Sequence, residues 1–223
     1  MSKYKYETHM HCSETSGCAR NTGAEMAEFY ARLGYAGVVV TDHVIPHPRH
    51  AESDEAWAAY CEHITAGYRA CLERGRQLGL DVFYGWEYSS SVAHFLVFGL
   101  PPEWHRDKPE SVSWDARTYL ERVRNDGAYV VHAHPFRENS EPIWLYPSLT
   151  DGCEVLSAAR ADIANVRAGE YARSYGLAAV AGSDCHSINM PRLCGVLSER
   201  RLESIEDFIS LLKGGAELFD DTL

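Results

Sequence analysis

Tyr4-Lys5-Tyr6-Glu7-Thr8-His9-Met10-His11 alternates in the manner of a strand, and the architecture of the chain turns on how this stretch is read. In a strand, residues i and i+2 share a face, so His9 and His11 present two imidazoles side by side at its C-terminal end. Two histidines begin a metal site without completing it. Further ligands must then come from the ends of other strands.

Such ends recur along the chain. Residues 23–33 carry apolar side chains at helical spacing and close at Gly34, after which Gly37-Val38-Val39-Val40-Thr41 reads as a buried strand ending in Asp42-His43. One amphipathic helix with a stripe from Trp57 to Leu78 is expected next, stopped by Gly79. Residues 81–86 form a strand ending in Glu87, and residues 94–98 form one that begins with His94. A helix over about 115–125 precedes the strand 128–131, which runs into His132-Ala133-His134-Pro135-Phe136-Arg137. The strand 152–155, a helix over about 161–175 and the strand 178–182 follow, the last ending in Ser183-Asp184-Cys185-His186. A final helix covers 205–213. Seven strands separated mostly by helices or long connections favour a parallel α/β sheet that closes, or nearly closes, into one barrel domain spanning residues 1–223.

Composition narrows the function. Hydrophobic residues make up 45% and charged residues 24% of the 223, and no apolar run reaches the roughly 18–20 residues that cross a bilayer, so no membrane partner is expected. The N-terminus has no apolar signal-like stretch, and the seven scattered cysteines contain no C-x-x-C pair. Both features point to a cytoplasmic chain with reduced thiols rather than a disulfide framework or zinc ribbon. A net charge of −11 argues against extended nucleic acid as a partner, whereas a small anion next to bound cations is compatible with it.

The strand-end clusters lie where α/β barrels build active sites. Histidine and carboxylate ligands from separate strands, without a cysteine set, suit Zn, Mn or Fe in a hydrolytic role. Taken in order, His9-Met10-His11, Thr41-Asp42-His43, Gly85-Trp86-Glu87, His134-Pro135-Phe136-Arg137 and Gly182-Ser183-Asp184-Cys185-His186 resemble the motifs of the polymerase and histidinol phosphatase (PHP) family. That resemblance runs from residue 4 to about residue 190.

The resemblance implies a distorted (β/α)7 barrel with a trinuclear metal site at the C-terminal ends of the strands, holding two to three divalent transition metals. His9, His11, Glu87 and Asp184 would bind the first metal. Glu87 would bridge to a second held by His94 and His134, and His43 and His186 would bind the third. Where the family often has an Asp or His just after H-x-H, this chain has Cys12 to Gly17, and Glu14 is the candidate replacement. His132 is a rival to His134.

Asp42, Arg137 and Arg160 are the candidate catalytic residues: Asp42 hydrogen-bonds a ligand histidine, and the two arginines clamp phosphoryl oxygens. The expected activity is hydrolysis of a small phosphomonoester, histidinol-phosphate-like or nucleotide-like. The alternatives are an exonuclease or phosphodiesterase acting on nucleotide ends, a metal-bound regulatory module without turnover, and a C–N hydrolase, for whose usual carboxylated lysine no strand-end Lys is present. His47, His50, His63 and His105 read as solvent or helix residues, and Trp86, Tyr88, Trp104 and Trp144 as either core or ring-stacking surfaces. Oligomeric state is left open.

Overall fold

A computed structural model describes residues 3–138 and 141–223. In chain order the elements are β1 (Tyr4–Met10), α1 (Gly23–Arg32), β2 (Gly37–Val40), β3 (His43–Val44), α2 (Asp54–His63), α3 (Ala66–Leu78), β4 (Asp81–Ser89), β5 (His94–Phe98), α4 (Ala116–Asn125), β6 (Tyr129–Ala133), β7 (Gly152–Ser157), α5 (Asp162–Tyr175), β8 (Ala178–Gly182), β9 (Arg192–Ser198), α6 (Ile205–Lys213) and β10 (Glu217–Thr222).

The seven expected strands are β1, β2, β4, β5, β6, β7 and β8, hydrogen-bonded in that order. The ring nearly closes because β8 and the segment after it return to β1. Thr8 Oγ1 donates to Ala181 O at 2.6 Å, His11 N–H to Cys185 O at 2.9 Å, and Cys185 N–H to His9 O at 3.1 Å. The (β/α)7 expectation therefore holds for the barrel wall.

Several local expectations do not. Instead of one helix there are two, broken at Ile64-Thr65, where Thr65 Oγ1 bonds back to the carbonyls of Cys61 and Glu62 at 3.3 and 3.1 Å. A threonine hydroxyl competing for helix carbonyls interrupts the ladder. The sheet is not all parallel either, since β5 pairs antiparallel with both β4 and β6. Only residues 90–93 separate β4 from β5, closed by Ser90 N–H to Ala93 O at 3.2 Å, and a parallel crossover needs a dozen residues or more. Finally, β9 and β10 were not expected. They extend the sheet antiparallel from β1, in the order β10-β9-β1.

Inside the barrel, Val39, Phe83, Leu96, Val131 and Val180 fill one end, and Phe208 and Leu212 of α6 pack against them. The alternation along β4 places Glu87 on the same face as Phe83, four residues on, at the other end of the lumen. β1 slips register against β2 between Glu7 and Met10, so Tyr6 joins this interior cluster while His9, three residues later, meets the carboxylates. The opposite face of β4 sends Tyr84, Trp86 and Tyr88 into a second cluster with α2 and α4. Among the described residues no helix is long and apolar enough to cross a membrane.

Candidate metal centre

The reversal of β5 is what brings His94 to the site. Because β5 runs opposite to its neighbours, its first residue lies level with their last ones, His94 opposite Ser89 of β4 and Ala133 of β6. The two-residue strand β3 pairs with β4 so that His43 lies opposite Glu87.

Glu87, fully buried, is the hub. Its Oε1 lies 2.9 Å from His94 Nδ1, 3.1 Å from His134 Nε2 and 3.6 Å from His9 Nε2. Its Oε2 lies 2.6 Å from His43 Nδ1 and 3.7 Å from His11 Nε2. Asp184 Oδ1 is 3.5 Å from His9 Nε2 and 3.3 Å from His11 Nε2. The potential ligand atoms gather into overlapping groups: His9, His11 and Asp184; Glu87, His94 and His134; His11, His43 and His186; and His9, His134 and Glu154.

The hydrogen bonds behind the ligands test whether metal fits here. His9 Nδ1 is engaged by Glu154 Oε1 at 2.9 Å, and His11 Nδ1 by Ser16 Oγ at 3.3 Å. In the neutral tautomers these contacts select, both Nε2 atoms carry lone pairs, 3.1 Å apart, and they face carboxylate oxygens that also only accept. Glu87 Oε2 is buried without an aligned donor, despite its closeness to His43. A nest of buried acceptors converging on one another is satisfied by cations, and the N/O donor set is one that divalent metals take.

Protons compete with cations for this surplus of acidic oxygen. Burial by itself would lower His9, but Glu154, Asp184 and Glu87 outweigh it and hold its pKa well above the usual histidine value. For Glu87 the order is the same: burial raises it, and His9, His134 and His43 together pull it well below the usual range. Asp184 is likewise drawn well below, against burial, by His9, His11 and His134. His11, where burial prevails, is pushed down to about 3.

Two of these residues have a left-handed backbone, His134 at φ 27° and Asp184 at φ 53°. Non-glycine residues adopt this region at a cost, and such strain concentrates at functional sites. It also breaks the alternation after β6, so His134 turns to Glu87. His132 instead packs between Phe95 and Tyr171, where burial lowers it to about 3. His132 is thus outside the ligand groups, although it lines the adjoining cavity with His94 and His134.

Among the remaining candidates, Glu14 is not brought to the cluster. Both its carboxylate oxygens accept from the Gly23 N–H at the start of α1, at 3.1 and 3.0 Å, where the helix dipole favours an anion. Ser16, two residues on, faces inward instead. Asp42 lies behind the ligands: its Oδ1 accepts from Cys12 N–H and Ser16 Oγ, both at 2.7 Å, and Ser16 in turn meets His11. Burial raises Asp42 to about 7 in spite of those bonds. Arg160 donates to Asp184 Oδ2 at 2.7 Å, while Arg137 is exposed along a cavity of about 420 Å³ that His94 and His134 also line. Trp86 and Trp104 stack on each other within the core, 5.7 Å apart, and are not site residues.

Two carboxylates were not anticipated. Glu154 holds His9 and also accepts the His134 N–H at 3.0 Å. A Cβ on Gly182 would come within 2.6 Å of Glu154 Oε1 and of His9, so only glycine fits there. Glu7 accepts from the N–H groups of Thr8, His9 and Ser183 at 2.9 Å each and from the Tyr30 hydroxyl, tying β1 to the Asp184 segment. The available signal was a carboxylate inside an otherwise apolar strand, which is rarely buried without a partner.

Residues 162–216, from α5 through the Asp184 segment to α6, match the family described as PHP-associated. The fold is similar to that of a two-domain protein from Bacteroides vulgatus containing a predicted PHP-like metal-dependent phosphoesterase, with a TM-score of 0.74 at 16% identity over 98% of this chain. The chain spans 65% of the length of that structure. PsfC from Pseudomonas syringae is similar at a TM-score of 0.60 and 18% identity, covering 100% of this chain and 93% of its own. A putative metal-dependent phosphoesterase from Bifidobacterium adolescentis is similar at 0.56 and 16%, covering 96% and 97% respectively. No curated protein matches the chain significantly. At these identities the structural likeness is one of fold. The chain thus shares its fold with structures described as PHP-like, and its segment 162–216 matches a family described as PHP-associated.

Proposed function

We propose that the chain is a metal-dependent phosphoesterase that hydrolyses a small phosphomonoester, acting as one barrel domain in the cytoplasm with two to three Zn, Mn or Fe ions. The observation that carries this reading is the convergence of five histidines on the two oxygens of Glu87, with Arg137 and Arg160 alongside. His9, His11, Glu87 and Asp184 would hold one ion, Glu87, His94 and His134 a second, and His43 and His186, beside His11, a third.

Divalent cations, when bound, supply Lewis acidity towards phosphoryl oxygens and water. The chain's own residues supply the rest. Glu154 and the Ser16–Asp42 pair fix the ring orientations of His9 and His11, so ligand geometry is set before substrate arrives. Arg137, exposed in the cavity, offers a forked donor to two phosphoryl oxygens. Arg160, held on Asp184 and 3.7 Å from Glu138, the neighbour of Arg137, would be the second guanidinium of the clamp.

The test is metal analysis of the purified protein combined with assays on a monoester, a diester and a short oligonucleotide, before and after a strong chelator. Two to three equivalents of metal and chelator-sensitive monoester turnover are expected. Less than one equivalent, with turnover indifferent to chelation, overturns the reading, and preference for the diester or oligonucleotide replaces it with a phosphodiesterase.

A further inference from the structure

A second, larger cleft opens off the metal centre. It has a volume of about 920 Å³, reaches His43 and His94 at its inner end, and shares Ser90, Ser91 and Trp144 with the smaller cavity that contains Arg137. A group bound in it would therefore be contiguous with a phosphoryl group beside Arg137.

Its walls combine a polar stretch, Ser89 to Ser91, with Ser89 hydrogen-bonded to His43, and an apolar one of Ile45, Trp114, Leu145 and Tyr146. Exposed apolar side chains gather there too: of ten large hydrophobics exposed on the described surface, Ile45 (53%), Ile143 (44%), Trp144 (47%) and Leu145 (38%) rim these two adjoining hollows. Exposed apolar residues scattered singly are ordinary, but their convergence on one cleft marks a binding surface.

The two charged side chains of the lining besides its histidines, Arg117 and Asp115, already have partners on α4. Arg117 lies 3.8 Å from Glu121, and Asp115 is occupied by the Thr118 N–H at 2.7 Å as the cap of α4. Flat ring surfaces dominate what remains. They come from Trp114, Trp144 and Tyr146, whereas Tyr88, buried between Tyr119 at 3.7 Å and Phe95 at 6.4 Å, backs the wall. Offset stacking and edge contacts favour an aromatic guest over an aliphatic one of equal size.

We infer that this cleft receives the alcohol part of the ester, and that this part is an uncharged aromatic group joined to the phosphoryl group by a short linker. The inference rests on the phosphoesterase reading for the identity of the ester, and on the cleft alone for the aromatic group.

The test uses three monoesters with the same reacting bond: propyl, 3-cyclohexylpropyl and 3-phenylpropyl phosphate, assayed with the metal-loaded protein. The expected order of kcat/KM has phenylpropyl highest, exceeding propyl by roughly tenfold or more, as filling an apolar pocket allows. In Trp144→Ala the phenylpropyl-to-propyl ratio falls towards one, and in Trp144→Phe most of it returns. Equal kcat/KM for the three esters, or cyclohexylpropyl leading, overturns the inference. If no monoester is turned over, the phosphoesterase reading fails, and calorimetry with 3-phenylpropanol then decides the cleft separately. Saturable binding that is lost in Trp144→Ala upholds the aromatic site, and no binding removes it.

Discussion

Buried histidines occur in this molecule in two surroundings. His105 lies against Trp86 and Trp104, at 4.7 and 4.9 Å between ring centres, with the Tyr119 hydroxyl 3.1 Å from Nε2 and burial pressing its pKa down to about 3. His9 is equally buried, yet three carboxylates hold its pKa well above the usual value. Burial therefore does not distinguish a metal centre. What distinguishes it is acidic oxygen concentrated where histidine nitrogens already have their other side engaged, an arrangement that is costly unless cations fill it.

Removing the hub of that arrangement has the largest expected effect. Glu87→Gln takes away the charge shared by the histidine groups, so metal content falls at more than one site and kcat/KM drops by a hundredfold or more, on the order seen when a metal's anchoring groups are lost. Full metal occupancy in this variant would show that the carboxylate does not join the groups. Arg137→Ala comes next. It keeps its metals and melting temperature while phosphomonoester kcat/KM falls roughly ten- to a hundredfold, the range of a charge-assisted hydrogen bond, and Arg137→Lys recovers only part. Wild-type kinetics would take Arg137 out of the site.

Glu154→Gln probes the orienting layer. Metal affinity, measured by competition with a coloured chelator, should fall about tenfold, and an unchanged value would mean that His9 is aligned by packing alone. The smallest effect on metal and turnover is expected in the contrasting region. For His105 the folded pKa lies near 3 and the unfolded value near 6.5, so its contribution to stability is complete above about pH 6.5 and is lost as pH falls towards 3. Over that window it steepens acid destabilisation by up to about 1.4 kcal/mol per pH unit. His105→Gln should remove that share of the slope in urea titrations between pH 4 and 6 and leave metal content unchanged. An unaltered slope would mean that His105 charges in the folded state and that the two surroundings differ less than stated.

The barrel wall was legible because its strands are short apolar runs that end abruptly in polar residues, as Val38-Val39-Val40 does in Thr41-Asp42-His43. The strand β10 was not, since Glu217-Leu218-Phe219-Asp220-Asp221-Thr222 alternates weakly. It is held by its ladder with β9 and by Lys3 and Lys5 pairing with Glu217 and Asp221, contacts more than two hundred residues apart in the chain. The direction of β5 could have been read from the four residues that precede it, too few for a crossover. For the site, the ligand histidines stood out because each follows or opens a strand. Glu14 misled because nearness to H-x-H says nothing about which way a loop carboxylate turns, and here the amide at the start of α1 claims it. Glu154 escaped because its role depends on a pairing with His9 across 145 residues.

The closure of the barrel through Glu7 and Ser183 has a consequence in time. These residues lie 176 positions apart, and His9 and Asp184 are each within two residues of them. A ribosome adding roughly 5–20 residues per second completes the histidine pair on the order of ten seconds before Asp184 and His186 exist. During that interval the nascent chain carries imidazoles whose partner Asp184 is unmade. Completion of the His9–His11–Asp184 group is accordingly a late event of biosynthesis, coupled to the return of β8 against β1 rather than to the emergence of the histidines that first announce the site.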